Sequence, residues 1–93
     1  HAHHTTKQFA ICIEGDIDVI LHKDRYLAPV THTLKKGDSL YIPKLVWDEQ
    51  YYKTKNSKLL VLCSTKYDKD DYIDSLEDFF DIREEYDINN TNY

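Results

Sequence analysis

The stretch His1-Ala2-His3-His4-Thr5-Thr6-Lys7-Gln8-Phe9-Ala10-Ile11-Cys12-Ile13-Glu14-Gly15 carries the reading of the fold. From Lys7 to Glu14 the residues alternate in the strand sense, with Phe9, Ile11 and Ile13 on one face and Gln8, Ala10 and Cys12 on the other. The same alternation sets His1 and His3 on one face of an extended segment. Gln8, turned away from the Phe9 row, can converge with them on one cavity. Gly15-Asp16 supplies a turn and Ile17 to His22 a returning strand, so residues 7–22 predict a hairpin.

Working outward, short strands follow at close spacing. Lys23 to Arg25 is a charged loop, and Pro29 leads into a strand over Val30 to Leu34. Lys35-Lys36-Gly37-Asp38 is a second turn, followed by Ser39 to Ile42 and a break at Pro43. Val46 to Tyr52 and the apolar run Lys58 to Cys63 are two further strands, separated by the polar loop Lys53 to Ser57. Strands this short, with turn residues between them, predict a sandwich or barrel. After Tyr67 the period changes: Tyr72, Ile73, Leu76, Phe79 and Phe80 recur at helical spacing among acids, predicting a helix from about Asp70 to Asp81. The expected plan is a barrel over residues 1–66, a helical segment over 67–86 packed on it, and a frayed tail over 87–93.

The composition agrees with one small all-β domain carrying one terminal helix. Ninety-three residues bury only about 60–65% of the unfolded chain's surface, so good packing or a partner is needed. Two glycines and two prolines argue against low complexity. Cys12 and Cys63 sit in apolar strand-like runs, which predicts buried free thiols rather than a disulfide framework. No apolar stretch is long enough to cross a bilayer, so no membrane is expected and the cytoplasm is the default compartment. The net charge of −5 arises mainly between Asp68 and Asp87, and residues 1–65 are slightly basic without an aromatic-laced basic stripe. No nucleic-acid partner is therefore expected, and the acidic segment reads as a solvated helix face.

The spacing of His1-x-His3, four residues, Gln8, six residues and Gly15 resembles the first cupin motif, in which two histidines and a glutamate bind a metal inside a small barrel. Leu34 to Pro43 resembles the second motif, with Gly37 six residues before Pro43; the histidine that follows there by five residues is Asp48 in this chain. Glutamine competes poorly with water for a divalent ion, so a four-ligand metal site is not expected. A site of His1, His3 and Asp48, two imidazoles and one carboxylate, stays open as the metal-dependent alternative.

Within the cupins the chain is similar to the sugar-nucleotide 3,4-ketoisomerases acting on dTDP-4-keto-6-deoxyglucose. The likeness runs through His1-Ala2-His3, Gln8 to Gly15, Tyr41-Ile42-Pro43, Val46-Trp47-Asp48-Glu49 and Tyr67 to Ile73. It implies a jelly-roll (double-stranded β-helix) cupin barrel, no metal or other cofactor, and a homodimer. It implies a dTDP-sugar substrate and a role in deoxysugar and polysaccharide biosynthesis. The catalytic pair of that family falls on His1 and His3. The Arg-Gly step before the pair in that family, and the strands preceding it, are not in this sequence. The barrel is expected to need about 30–40 further residues of that kind.

The chemistry suits imidazole. Moving a ketone from C4 to C3 removes a proton from C3, passes through an enediol and returns a proton at C4, which a base of pKa about 6.5 does best. One histidine would act at carbon and the other at oxygen; sequence does not say which. Gln8 would orient a histidine or a sugar hydroxyl, Asp48 would fix a histidine tautomer or bind a hydroxyl, and Trp47 would stack on thymine or sugar. Simpler roles stand beside these: Trp47 as core, Gln8 serving buried backbone, Asp48 capping a turn. A tag remnant at His1 to His4 would not fall in register with Gln8 and Gly15. His4, His22 and His32 read as solvated. A sugar epimerase and a non-catalytic nucleotide-sugar-binding domain of a larger protein are the remaining alternatives.

Overall fold

The computed structural model describes residues 1–90. The strands are β1 (Ala2–His3), β2 (Gln8–Glu14), β3 (Asp16–His22), β4 (Val30–Lys35), β5 (Ser39–Ile42), β6 (Trp47–Tyr52) and β7 (Lys58–Cys63). A single 3-10 turn (Lys69–Asp71), a two-residue strand β8 (Tyr72–Ile73) and the helix α1 (Leu76–Asn89) follow. Two three-stranded antiparallel sheets, ordered β5-β2-β7 and β4-β3-β6, face each other, and β1 pairs with β8 at one end. This is the all-β barrel with a C-terminal helix that the strand spacing predicts, in the jelly-roll form that the resemblance implies.

The predicted hairpin over residues 7–22 does not form. β2 and β3 belong to different sheets, and Gly15 is the corner between them. Gly15 takes φ of 80°, and a Cβ there would lie 2.4 Å from both the Ser57 and Thr54 hydroxyls. A bulge between Cys12 and Glu14 helps swing the strand out of its sheet. The turn residues were legible, but pairing is decided by partners distant in sequence: β3 takes β4 and β6, and β2 takes β5 and β7.

The inward faces supply the main core. Ala10, Cys12, Ile17, Val19, Leu34, Ile42 and Val46 are buried between the sheets, with Leu59 and Val61 partly so. A second cluster of Ala2, Leu45, Trp47, Ile73 and Phe79 lies under α1. The helix therefore caps the end of the barrel where β1 and β8 run.

α1 starts later and ends later than its predicted span of 70–81. Tyr72 and Ile73 are taken by strand pairing with His3 and Ala2, so the helix cannot begin before Ser75. The Ser75 side chain accepts from the Asp78 N–H at 3.3 Å, and Glu77 and Asp78 place negative charge in the first turn. Ile82 and Tyr86 continue the stripe packed on the second cluster, carrying the helix to Asn89. Part of the expected tail is thus helical, and its residues 91–93 lie outside the described residues.

Cys12 is buried as expected, but Cys63 is exposed. It has the inward parity of Leu59 and Val61, yet stands at the last position of β7, where nothing closes over it. Among the described residues, no helix is long and apolar enough to cross a membrane.

Candidate active site

β1 is held on both edges. On one side His3 and Ala2 pair with Tyr72 and Ile73. On the other, the Leu45 N–H donates to the His3 carbonyl and the Asp48 N–H to the His1 carbonyl, each at 2.8 Å. Leu45 takes an uncommon φ of 55°, and its carbonyl accepts from the Arg83 guanidinium at 2.7 Å, so the left-handed turn is tied from both sides. Strand alternation then aims His1 and His3 the same way.

Their rings meet edge to face with centroids 5.0 Å apart. The Tyr72 ring lies 5.3 Å from His1 and 4.3 Å from His3. Asp48, only 2% exposed, brings Oδ1 to 3.6 Å from His1 Nε2, and its Oδ2 accepts from the Gln50 amide at 3.0 Å. Among the described residues, three buried side-chain polar atoms lack a hydrogen-bond partner: His1 Nε2, His3 Nε2 and Asp48 Oδ1. Buried polar groups are nearly always satisfied, so three orphans on neighbouring side chains mark a place where a polar ligand belongs.

A second carboxylate stands behind His3. Asp71 Oδ1 accepts from the Thr5 N–H and hydroxyl at 2.9 and 2.8 Å. Asp71 Oδ2 accepts from the Thr6 N–H at 3.1 Å, the Thr6 hydroxyl at 2.5 Å and His3 Nδ1 at 3.2 Å. The Asp71 carbonyl also accepts from the His4 N–H. The two carboxyls are pushed apart. Burial raises Asp48 above the usual carboxylate range, the Gln50 hydrogen bond only partly opposing it. Burial would raise Asp71 too, but the Thr6 and Thr5 hydrogen bonds outweigh it and hold the group well below that range. A carboxyl depressed on folding adds stability that is complete above its unfolded pKa, so Asp71 loses its contribution only in strong acid. Burial pushes the Tyr72 hydroxyl upward, so it stays a neutral phenol at pH 7.

Of the residues singled out by sequence, His1, His3 and Asp48 come together. Gln8 is buried on the inward face of β2, and its amide makes no hydrogen bond to any of the three among the described residues. Trp47 lies elsewhere: its ring packs 6.0 Å from Phe79 in the cluster under α1, and its Nε1 donates to Glu49. Trp47 thus has the packing environment of its alternative reading as core, because neighbouring strand positions face opposite ways and Asp48 turns toward the histidines. Tyr72, read from sequence as a helix core residue, and Asp71 were both missed as site residues. Neither carries a local signal, since the partners of Asp71 sit 65 to 68 residues away. A pocket of about 210 Å³ opens beside His3, lined also by Thr6, Cys63, Thr65, Tyr67 and Tyr72. Among the described residues no three His, Cys, Asp or Glu side chains are grouped to hold a metal ion.

Residues 1–84 match the family model described as FdtA: WxcM-like, C-terminal. Over 79 residues the chain is 30% identical to a TDP-4-oxo-6-deoxy-alpha-D-glucose-3,4-oxoisomerase of Aneurinibacillus thermoaerophilus, covering 85% of this chain and 56% of the relative. Its fold matches QdtA, a sugar 3,4-ketoisomerase of Thermoanaerobacterium thermosaccharolyticum solved in complex with TDP. The TM-score is 0.83 at 30% identity, over 91% of this chain and 61% of that one. It also matches the WlaRB TDP-quinovose 3,4-ketoisomerase of Campylobacter jejuni, with TM-score 0.79 at 34% identity, over 87% of this chain and 62% of that one. The chain thus spans between half and two thirds of the length of these relatives. A cupin-type barrel, a histidine pair in contact at its end and a family match over nine-tenths of its residues lead to one assignment: the chain belongs to the FdtA (WxcM-like, C-terminal) family.

Proposed function

We propose that this chain carries the catalytic centre of a sugar-nucleotide 3,4-ketoisomerase, an isomerase converting dTDP-4-keto-6-deoxyglucose to its 3-keto isomer. The observation that carries the reading is the pair of imidazoles whose buried Nε2 atoms, with Asp48 Oδ1, have no hydrogen-bond partner among the described residues. They are placed to meet a polar substrate.

His3 is the base at carbon, and His1 with Asp48 serves the oxygens. His3 Nε2 takes the C3 proton, the C3–H electron pair forms the C3=C4 bond, and the C4 ketone becomes the enediol oxygen. The proton returns at C4 while the O3 proton passes to O4. C3 is oxidised and C4 reduced within one molecule, so the atoms balance without an outside oxidant. Burial of the carboxyl beside His1 favours this division: it raises Asp48 above the usual carboxylate range, so Asp48 accepts a proton more readily than an exposed carboxylate does. Gln8, with a free amide, is left to orient a sugar hydroxyl. No step needs a metal ligand set.

Incubating the protein with dTDP-4-keto-6-deoxyglucose in D₂O tests the reaction. The expected product is the 3-ketose, and its deuterium content at C4 measures how far His3 exchanges the C3 proton with solvent before returning it. A product that keeps the C4 ketone and is inverted at C3 or C5 would make the protein an epimerase. Binding without turnover would make it a recognition domain.

The partner is proposed to be a second copy, seated on the outer face of the β5-β2-β7 sheet. There Phe9 is 41% exposed and lies opposite Tyr41 and Leu62, which are 52% and 53% exposed. Adjacent exposed apolar side chains of this size are uncommon on a monomer. Sedimentation equilibrium is expected to give a dimer, and Phe9→Asp to dissociate it; a monodisperse wild-type monomer would count against the interface. The unpaired thiols Cys12 and Cys63 favour a reducing compartment, the cytoplasm, for this chemistry.

A further inference from the structure

We propose that Asp71 is a positioning residue that selects His3 as the carbon base, by accepting a hydrogen bond from its Nδ1 and so leaving the Nε2 lone pair free for the substrate. The inference rests on the ketoisomerase reading for its consequence, but its physical content concerns the histidine alone.

Asp71 receives two N–H and two O–H donors from Thr5 and Thr6 before His3 is counted. The Thr6 hydroxyl also lies 2.6 Å from that of Thr65, so Thr65 donates to Thr6 and Thr6 donates onward to Asp71. A carboxylate held by such a chain stays ionised, and an ionised carboxylate can only accept. The ring nitrogen facing it at 3.2 Å must therefore carry the hydrogen. In neutral His3 that nitrogen is Nδ1, and the lone pair is forced onto Nε2, the atom that is buried without a partner. His3 is only 4% exposed, so water does not offer a competing arrangement.

His1 has no such support. Its nearest carboxyl is Asp48, at 3.6 Å, whose Oδ2 accepts from Gln50 and whose Oδ1, facing His1, has no hydrogen-bond partner among the described residues. The fold thus makes two unlike histidines from one His-x-His pair: His3 is locked in tautomer and orientation, and His1 keeps the freedom that moving a proton between two oxygens requires. When His3 takes the C3 proton, the resulting imidazolium lies against a fixed negative charge, as in the histidine–carboxylate arrangement of acyl-transfer enzymes.

The tautomer of His3 is directly readable. Long-range ¹⁵N–¹H correlation spectra of the whole protein, labelled at histidine, are expected to show Nδ1–H and unprotonated Nε2 for His3 in the neutral ring, with no substrate present. In Asp71→Asn the Nδ1–H form is expected to lose its dominance, and kcat to fall by no more than the roughly 10²–10⁴-fold that a general base is worth, with KM little changed. Thr6→Ser, which keeps the hydroxyl relay, is expected to retain the wild-type tautomer, whereas Thr6→Val weakens its dominance. Wild-type His3 carrying its hydrogen on Nε2 overturns the proposal. So does an Asp71→Asn protein whose His3 tautomer is unchanged, whatever happens to its turnover. Should Asp71→Asn not fold, the wild-type spectrum and the Thr6 pair decide. Because the spectra need no substrate, a wild-type protein with locked His3 but no isomerase activity would sink the functional reading and leave the role of Asp71 standing.

Discussion

Replacing His3 by Asn leaves a folded protein that has lost isomerase turnover by roughly 10²–10⁴-fold, the usual worth of a general base. Asparagine suits the site structurally. Its amide nitrogen occupies the region of the imidazole Nδ1 and can still donate to Asp71, so the carboxylate keeps its partner and β1 its pairing with β8. What is lost is Nε2, the atom with no partner in the resting protein. The effect should fall on kcat, since the side chain is asked for a proton transfer made only in the transition state. Steady-state kinetics together with a thermal melt check both halves. Wild-type turnover in the variant would remove His3 from the mechanism, and a collapsed melt would make it structural.

Phe79→Ala is expected to destabilise the protein by about 3–5 kcal/mol, the range for deleting a buried aromatic ring. Phe79 is fully buried, 6.0 Å from the Trp47 ring and 5.7 Å from that of Phe80, in the cluster with Ala2, Leu45 and Ile73. Domains of this size hold about 5–15 kcal/mol in all, so the loss is a large fraction of the total. At roughly 4–8 °C per kcal/mol, the melting temperature should drop by more than about 10 °C. Ala2 and Ile73 are the paired residues of β1 and β8, so the cavity would open beneath the strand that carries both histidines. Ile88→Ala on the same helix, at a side chain 69% exposed, is the control and should change stability by no more than about 0.5 kcal/mol. Equal melting temperatures for the two variants would show that α1 is an appendage instead of the cap on the site.

The elements that part from their sequence periodicity do so because of partners distant along the chain. Ser39–Ile42 and Lys58–Cys63 were found at their observed limits because their apolar alternation and bounding turns are local signals. Gly15-Asp16 was legible as a chain reversal, but whether the strands on either side pair or separate into two sheets depends on β4, β5, β6 and β7. Tyr72 and Ile73 fit the period of the helix that follows, and only their pairing with His3 and Ala2 makes them a strand. Trp47 and Asp48 are adjacent in sequence and were assigned to one pocket; pleating sends one into the cluster under α1 and the other to the histidines.

By itself, then, the sequence determined the all-β barrel with its terminal helix, the two histidines on one face and the loss of a full metal-ligand set. These follow from side-chain period, turn chemistry and residue type, which act over a few residues. The tertiary structure alone decided which histidine is held. Asp71 reaches His3 across 68 residues of chain, and the threonines that keep it ionised sit beyond the same gap. No periodicity encodes such a meeting; it exists because β8 closes on β1 once the barrel has folded.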